Sequence, residues 1–172
     1  GFSFFDLWAR LHVLGADNAW DRLQGILNWQ REVWAAGGCR EYYADRPGSL
    51  QGGGTPGGLG IDKEFLESSM VPAIVTRGFL GLRPGMDHLA IRPRLPDDCP
   101  SMGVSDVCYR DVRMDVKATN STVQVALKND PLDALHVRLG EGWTLDDSDQ
   151  PGPEFTLDAR GAYTFRKPPD NH

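Results

Sequence analysis

Three carboxylates are concentrated in a glycine-rich stretch of the sequence, GGGTPGGLGIDKEFLESSM (residues 52–70). Asp62, Glu64 and Glu67 follow the glycines and directly precede an apolar segment, VPAIVTRGFLGL. A positioned carboxylate can donate or accept protons as a general acid or base. An alternative is that these carboxylates only favour the start of the next helix, where the helix dipole stabilises an acidic side chain by about 0.3–1 kcal/mol.

These carboxylates belong to a long loop that we predict over residues 37–68. The loop also carries Arg40, Tyr42 and Tyr43, which suit a binding surface better than a linker. Loops beyond about 12–15 residues without structure of their own are uncommon, and they are usually functional or disordered. The loop is therefore either a binding loop or a disordered insertion.

Two helices are predicted before this loop and one after it. Apolar residues recur at helical spacing over residues 3–14 and again over 18–36, with Gly15 at the break. This pattern predicts an antiparallel helical hairpin. Residues 69–82 are apolar on all sides, which indicates a buried helix. Arg77 on that helix is then expected to need a carboxylate or carbonyl partner.

From residue 86 the period of the apolar residues changes to two. Alternating segments such as HLAIRPRLP and TVQVALK predict about five or six strands in an antiparallel β domain. A turn is expected at residues 129–131 and a bulge near Asp111. We predict that this domain ends near residue 167 and that the tail, residues 168–172, is frayed.

The composition excludes several classes of function. The formal net charge of -6, without a basic stripe, argues against nucleic-acid binding. No apolar run approaches the roughly 20 residues that cross a membrane. Cys39, Cys99 and Cys108 form no CxxC pair, so no zinc site is expected. Cys99 and Cys108 could form a disulfide, but free thiols that are buried or half-buried are expected. The histidines are far apart in sequence, so we expect no metal site and no cofactor. The compartment is left open, because no signal peptide is recognised.

The predicted helices cannot bury their own apolar surfaces. A helix that is apolar on all sides needs neighbours all round it, and the two preceding helices are amphipathic. The sequence therefore indicates the C-terminal piece of a larger helical domain. By itself the chain is expected to associate with another copy or with the remainder of that domain.

The segment GFLGLRPGMDHLAIRPRLPDDCP resembles the end of the six-hairpin glycosidases, which include glucoamylases, α-L-rhamnosidases and disaccharide phosphorylases. The residues that carry the resemblance are Gly81, Leu82, Pro84, Leu89, Ile91, Pro93, Leu95 and Pro96. The segment NAWDRLQGILNWQREV is similar to an outer barrel helix of this group. The resemblance implies an α+β fold, in which the last helices of an (α/α)6 barrel (residues 1–85) precede an antiparallel, β-sandwich-like domain (residues 86–167).

The resemblance also implies a function in glycoside hydrolysis, on oligosaccharides or glycoconjugates and with inversion. The general base in the glucoamylase-like members shortly precedes the last inner helix, where Glu67 fits best, Glu64 second and Asp62 third. Substrate-binding residues are then expected at Arg40, Tyr42, Tyr43 and Asp62, with the tyrosines stacking on sugar rings or half-buried in the loop. Because this group carries its general acid earlier in the barrel, the chain alone is expected to be inactive.

Two alternatives to hydrolysis remain. Disaccharide phosphorylases of the same group use phosphate in place of the general base, so that a carboxylate at Glu67 would not be needed. A non-catalytic module that binds carbohydrate or protein through the loop or the β domain is the competing class. Fold likeness alone does not decide between them.

Overall fold

The computed structural model describes residues 2–35, 70–146, 148 and 151–168. The chain divides into two compact units, Gly1–Ile74 and Val75–His172. The helical elements are α1 (Phe2–Val13), α2 (Ala16–Ala35), α3 (Met70–Ala73) and a π-helix (Ile74–Phe79). The strands are β1 (Leu82–Pro84), β2 (His88–Ile91), β3 (Met102–Tyr109), β4 (Val112–Ala118), β5 (Thr122–Leu127), β6 (Leu135–Leu145), β7 (Pro151–Leu157) and β8 (Gly161–Arg166).

The first unit contains the helical hairpin that the sequence predicts. Helix α1 ends where the amides of Leu14 and Gly15 both donate to the carbonyl of Arg10, at 2.7 and 3.0 Å. Gly15 has a φ of 97°, a conformation that glycine adopts without a Cβ penalty. The side chains buried in the hairpin are Leu7, Leu11, Ala19 and Leu23. The hairpin prediction is confirmed.

One carboxylate ties the two helices of the hairpin together. Asp6 accepts a hydrogen bond from Arg10 Nε at 2.8 Å, one turn further along α1, and another from Arg22 Nε of α2, also at 2.8 Å. The hydrogen bond from Arg22 and then the one from Arg10 lower the pKa of Asp6, because both stabilise the ionised carboxylate. The contacts are part-exposed, so each contributes about 0.2–1 kcal/mol.

The second unit contains an eight-stranded mixed sheet with the order β1-β2-β6-β8-β5-β4-β3, and β7 pairs with β6. All neighbouring strands are antiparallel except β2 and β6, which run parallel with His88 opposite His136. The prediction of an antiparallel sheet is wrong for this pair. The two strands are distant in sequence, and so no hairpin turn dictates their relative direction.

The interior of the sheet follows the period of two in the sequence. On β4 the alternate residues Val112, Met114 and Val116 are buried, and the residues between them face outward. Val123 and Val125 continue the buried row on β5. The sequence predicts this alternation correctly, although the structure contains more strands than predicted.

The irregular positions of the sheet lie in β3 and at its hairpin. The register between β3 and β4 shifts between Val104 and Val107, where Asp106 has a φ of 58°. Near Asp111, where a bulge is predicted, the structure has the two-residue turn between Tyr109 and Val112. The predicted bulge position is therefore wrong. An extra residue in either strand shifts the alternation of buried and exposed residues in the same way, so the sequence pattern does not locate the bulge.

The described residues form a mixed β-sheet domain with few helices. This architecture agrees with the predicted C-terminal β domain. The barrel that would contain the helices is a proposal. The predicted loop over residues 37–68 lies outside the described residues, and so does the tail beyond residue 168.

Candidate functional site

The residues that the sequence nominates for chemistry all lie between α2 and α3. They are Arg40, Tyr42, Tyr43, Asp62, Glu64 and Glu67, and each lies outside the described residues. Glu67 precedes the first residue of α3, Met70, by three positions. The structure therefore describes the helix that follows this site and the elements that contact that helix.

The helix after Glu67 changes its winding along its length. It begins as α3 and continues as the π-helix, which ends with the amide of Leu80 donating to the carbonyl of Val75 at 2.9 Å. Short π-helical segments are rare and are often found near functional sites. The prediction that this helix is buried on all sides is wrong at Arg77. Arg77 is exposed, whereas Ile74 and Phe79 have no exposed surface.

The exit from this helix depends on Gly81. Its φ is 66°, and a Cβ at this position would lie 2.1 Å from the carbonyl oxygen of Arg92. The amide of Arg92 donates back to the carbonyl of Gly81 at 3.3 Å, and the amide of Arg94 donates to the carbonyl of Phe79 at 2.8 Å. Gly81 thus lets the segment after β2 lie directly against the end of the helix.

Asn120 holds this segment from the other side. Its Oδ1 accepts from the amide of Leu95 at 2.7 Å, and its Nδ2 donates to the carbonyl of the same residue at 2.9 Å. Asn120 lies in the turn between β4 and β5. The residue before Leu95, Arg94, donates its amide to the carbonyl of Phe79 at the end of the helix. Asn120 is also the first residue of an Asn-Ser-Thr glycosylation pattern. In this structure its Nδ2 donates the hydrogen bond to the carbonyl of Leu95.

Two histidines lie side by side on β2 and β6. His88 is opposite His136 in the register of the parallel pair. The Nδ1 of His88 lies 2.7 Å from Asp87 Oδ1, and the Nδ1 of His136 lies 3.5 Å from Glu154 Oε1. Glu154 also accepts a hydrogen bond from Arg138 Nε. A carboxylate at Nδ1 can orient an imidazole for proton transfer.

The surroundings of these histidines favour a surface ion-pair network over a reaction site. Asp87 is 76% exposed, and the cluster alternates positive and negative groups. The hydrogen bond from His88 lowers the pKa of Asp87, and the hydrogen bond to Glu154 raises the pKa of Arg138. No local pattern in the sequence indicates that His88 and His136 are neighbours, because their proximity depends on the long-range parallel pairing.

Metal binding and membrane insertion find no support in the described residues. Within them, no group of three or more His, Cys, Asp or Glu side chains is arranged to hold a metal ion. No helix in this part of the chain has the length and apolar character needed to span a bilayer. Cys99 and Cys108 are free thiols, as predicted, and Cys39 lies outside the described residues.

Comparisons with known proteins find one matching family model. Residues 82–139 match the model described as glycosyl hydrolase family 65, C-terminal domain. The matched region begins at β1, directly after Gly81, and ends in β6. No curated protein matches the chain.

One similar solved structure is a putative kojibiose phosphorylase from the human microbiome. It shares 15% sequence identity with the chain and superposes with a TM-score of 0.46. The alignment covers 63% of this chain and 14% of the phosphorylase chain, so the chain spans a small part of that protein's length. The resemblance to the C-terminal part of a glycosidase or disaccharide phosphorylase is confirmed by the family match, because residues 82–139 carry the pattern of the family 65 C-terminal domain.

Proposed function

We propose that the chain is the C-terminal part of a six-hairpin glycoside hydrolase that acts on oligosaccharides or glycoconjugates. The family match over residues 82–139 is the observation that carries this proposal. The contacts at Gly81 support it, because they join the matched domain to the end of the helix that would be the last inner helix of the barrel.

The direction of the chain supports a position of this helix near the active site. In a barrel of helical hairpins, short turns close one end, and long connections lie at the other. The tight turn at Gly15 then marks the closed end, and α2 leads away from it toward Ala35. The connection from Ala35 to Met70 is long and carries all the nominated residues. We therefore propose that this connection contributes to the substrate-binding end of the barrel.

Glu67 is proposed as the general base, with Glu64 as the second candidate. Glycoside hydrolysis uses two carboxyl groups, and an inverting enzyme separates them by about 6.5–9.5 Å so that a water molecule fits between them. Glu67 would remove a proton from that water. The remainder of the barrel would supply the general acid. Sugar-binding roles are proposed for Arg40, Tyr42, Tyr43 and Asp62.

Replacement of Glu67 by Gln in the complete protein tests this assignment. The substitution keeps the shape of the side chain and removes its basicity, so kcat for hydrolysis should fall by about 10²–10⁴. Glu32→Gln is a matched control, because Glu32 is an exposed carboxylate on α2. A loss with Glu64→Gln and not with Glu67→Gln would move the role to Glu64. Normal activity in both variants would limit these carboxylates to a structural role.

The alternative of a phosphorylase predicts a different dependence on phosphate. In phosphorolysis, inorganic phosphate attacks the sugar in place of an activated water molecule, and the product is a sugar phosphate. The complete protein should then require phosphate for turnover, and Glu67→Gln should retain that turnover. Assays with and without phosphate, with the anomeric configuration of the product followed by NMR, separate the two reactions.

A non-catalytic binding module is the competing class of function. It predicts that the complete protein binds glycans and turns over none of them. The chain by itself should be inactive under either interpretation, because the general acid is expected in another part of the barrel. Hydrolysis of an aryl glycoside by the purified chain, above the level of its own Glu67→Gln variant, would contradict the division of the active site between this chain and the remainder.

A further inference from the structure

A groove crosses the outer face of β3, β4 and β5, and its described lining residues include none of those proposed for catalysis. Its volume is about 410 Å³, which lies within the range of about 300–1,000 Å³ that is typical of ligand sites. Small residues create the depression, because Gly103, Ser105 and Ala126 line it on the outward face. Longer side chains would fill the same space on an ordinary strand face.

Polar side chains form one wall of the groove. Lys117 of β4 is opposite Gly103 of β3 and Gln124 of β5, so that its long side chain and that of Gln124 stand next to each other. Together with Ser105 they supply ammonium, amide and hydroxyl groups, which include both donors and acceptors. Ala126 adds an apolar side chain to the floor between these groups.

Asp115 lines the other wall of the groove and belongs to a network of paired charges. Lys128 Nζ lies 2.7 Å from Asp106 Oδ1 and 2.8 Å from Asp115 Oδ1, and Arg113 Nη2 lies 3.0 Å from the same oxygen of Asp106. The hydrogen bond from Lys128 lowers the pKa of Asp115 and of Asp106, so both carboxylates stay ionised. Because positive and negative groups offset each other here, this wall gives little net attraction for an ionic ligand.

The edge of the sheet next to the groove is unsuited to binding a peptide as an added strand. β3 is the edge strand, but its bulge interrupts the row of backbone groups that a new strand would need. At the bulge, the amide of Asp106 already donates to Asp115 Oδ1 at 2.9 Å. The groove therefore favours a ligand that binds through side chains over one that pairs with the backbone.

We propose that this groove binds a neutral oligosaccharide through residues other than those proposed for catalysis. The hydroxyl groups of a sugar are both donors and acceptors, and they match the mixed groups of Lys117, Gln124 and Ser105. The C–H faces of a sugar ring can contact the apolar floor at Ala126. The choice of an oligosaccharide rests on the proposed function, whereas the existence of the site rests on the groove itself.

NMR titration of the isotope-labelled chain with maltotriose, isomaltotriose and cellotriose tests the proposal. At least one trisaccharide should shift the amide signals of Gly103, Lys117 and Gln124, with a Kd on the order of 1 mM for so open a site. Ala126→Trp, which fills the groove, should abolish these shifts. Ala159→Trp is the matched control, because Ala159 is exposed in the turn between β7 and β8.

A second variant guards against misfolding of the filled groove. Lys117→Ala combined with Gln124→Ala removes two exposed side chains, and it should weaken binding about ten-fold through the lost hydrogen bonds. The proposal is overturned if no trisaccharide shifts these signals at about 20 mM, well above the expected Kd. It is also overturned if the shifts lie elsewhere, if the variants bind normally, or if a sulfated trisaccharide binds more tightly than the neutral one.

The outcome is independent of the catalytic assignment. Glu67→Gln in the same chain should bind the trisaccharide in the groove as the unchanged chain does. Loss of turnover in the complete protein without groove binding would refute only this inference. Groove binding together with normal turnover of the Glu67→Gln and Glu64→Gln variants would refute only the assignment of the general base.

Discussion

Replacing Gly81 by alanine should strongly destabilise the second unit. Two separate effects act at this position. The φ of 66° is strained for any residue with a Cβ, and the new Cβ would lie 2.1 Å from the carbonyl oxygen of Arg92. The neighbouring atom belongs to the backbone, so the clash cannot be relieved by rotation of a side chain. Relief requires the segment after β2 to move away from the end of the π-helix.

The magnitude follows from adding the two effects. A left-handed conformation costs a residue other than glycine about 1–2 kcal/mol. Overpacking of a closely packed site costs about a further 1–3 kcal/mol. The sum, about 2–5 kcal/mol, is a large fraction of the roughly 5–15 kcal/mol by which domains are stable. With a urea m-value of about 1–3 kcal/mol per molar, the unfolding midpoint should fall by on the order of 1–2 M.

Two control substitutions in the same unit separate these effects. Gly140 has a φ of 104° and no atom within 4 Å of a built Cβ, so Gly140→Ala should show the conformational cost alone. Gly161 has an ordinary φ and only a side-chain atom of Tyr163 at 3.9 Å, so Gly161→Ala should be neutral or slightly stabilising. Hydrogen exchange of β4 and β5 peptides during urea unfolding reports on this unit without interference from the helices.

The order of the three midpoints decides the argument. The expected order is Gly161→Ala highest, Gly140→Ala lower and Gly81→Ala lowest. Equal midpoints for Gly81→Ala and Gly140→Ala would mean that the Arg92 carbonyl moves aside at little cost, so that close approach is not required. A midpoint for Gly81→Ala equal to that of Gly161→Ala would refute both parts of the reasoning.

Three further predictions concern other contacts. Asn120→Ala leaves the amide and carbonyl of Leu95 without partners and should cost about 1–3 kcal/mol in urea unfolding, whereas Asn120→Asp keeps the acceptor and should cost less; equal losses would contradict the two-bond account. The pKa of Asp6 is lowered in the folded state. Its contribution to the free energy of unfolding should therefore be complete above the unfolded pKa of about 3.9 and should be lost as the pH falls through the folded pKa. A difference in unfolding free energy between the unchanged chain and Asp6→Asn that stays constant from pH 7 to pH 2 would contradict this. Phe5 and Leu14 are 61% and 59% exposed, so light scattering at micromolar concentration should show self-association that serine at both positions reduces; a monomer that binds no hydrophobic dye would weaken the barrel proposal.

The parts of the fold that the sequence predicts well are local. The sequence predicts the helical hairpin from the break at Gly15 and from the helical spacing on either side of it. This works because the contacts along a helix join residues that are close in sequence. The alternation along β4 likewise identifies its buried face. Gly81 lies between an apolar helix and Pro84, a position that is typical of a helix end.

The parts that the sequence does not predict depend on distant contacts. The parallel pairing of β2 with β6 has no local signal, and the proximity of His88 to His136 follows from it. Strand β1 is too short to show a period of two. The exposure of Arg77 is not predicted, because the apolar composition of this helix indicates burial on all sides, whereas Pro72 and Arg77 are exposed.

The candidate active site depends on sequence reasoning alone. Glu67 and Glu64 were chosen from their position before α3 and from the resemblance to the six-hairpin glycosidases, and both lie outside the described residues. The groove of β3, β4 and β5 was not foreseen, because its small residues lie on different strands. Gly103 and Ala126 come to line the same groove only through the pairing of both strands with β4.

The strand order has a consequence for the order in which the parts of the sheet can pair during synthesis. β3, β4 and β5 are consecutive neighbours and can pair as soon as they leave the ribosome. β2 must wait for β6, and the two halves of the sheet join only through the pairing of Thr144 with Arg166 and of Leu145 with Phe165. The two halves of the sheet can thus join only after β8 has been translated, whereas β3, β4 and β5 can pair earlier.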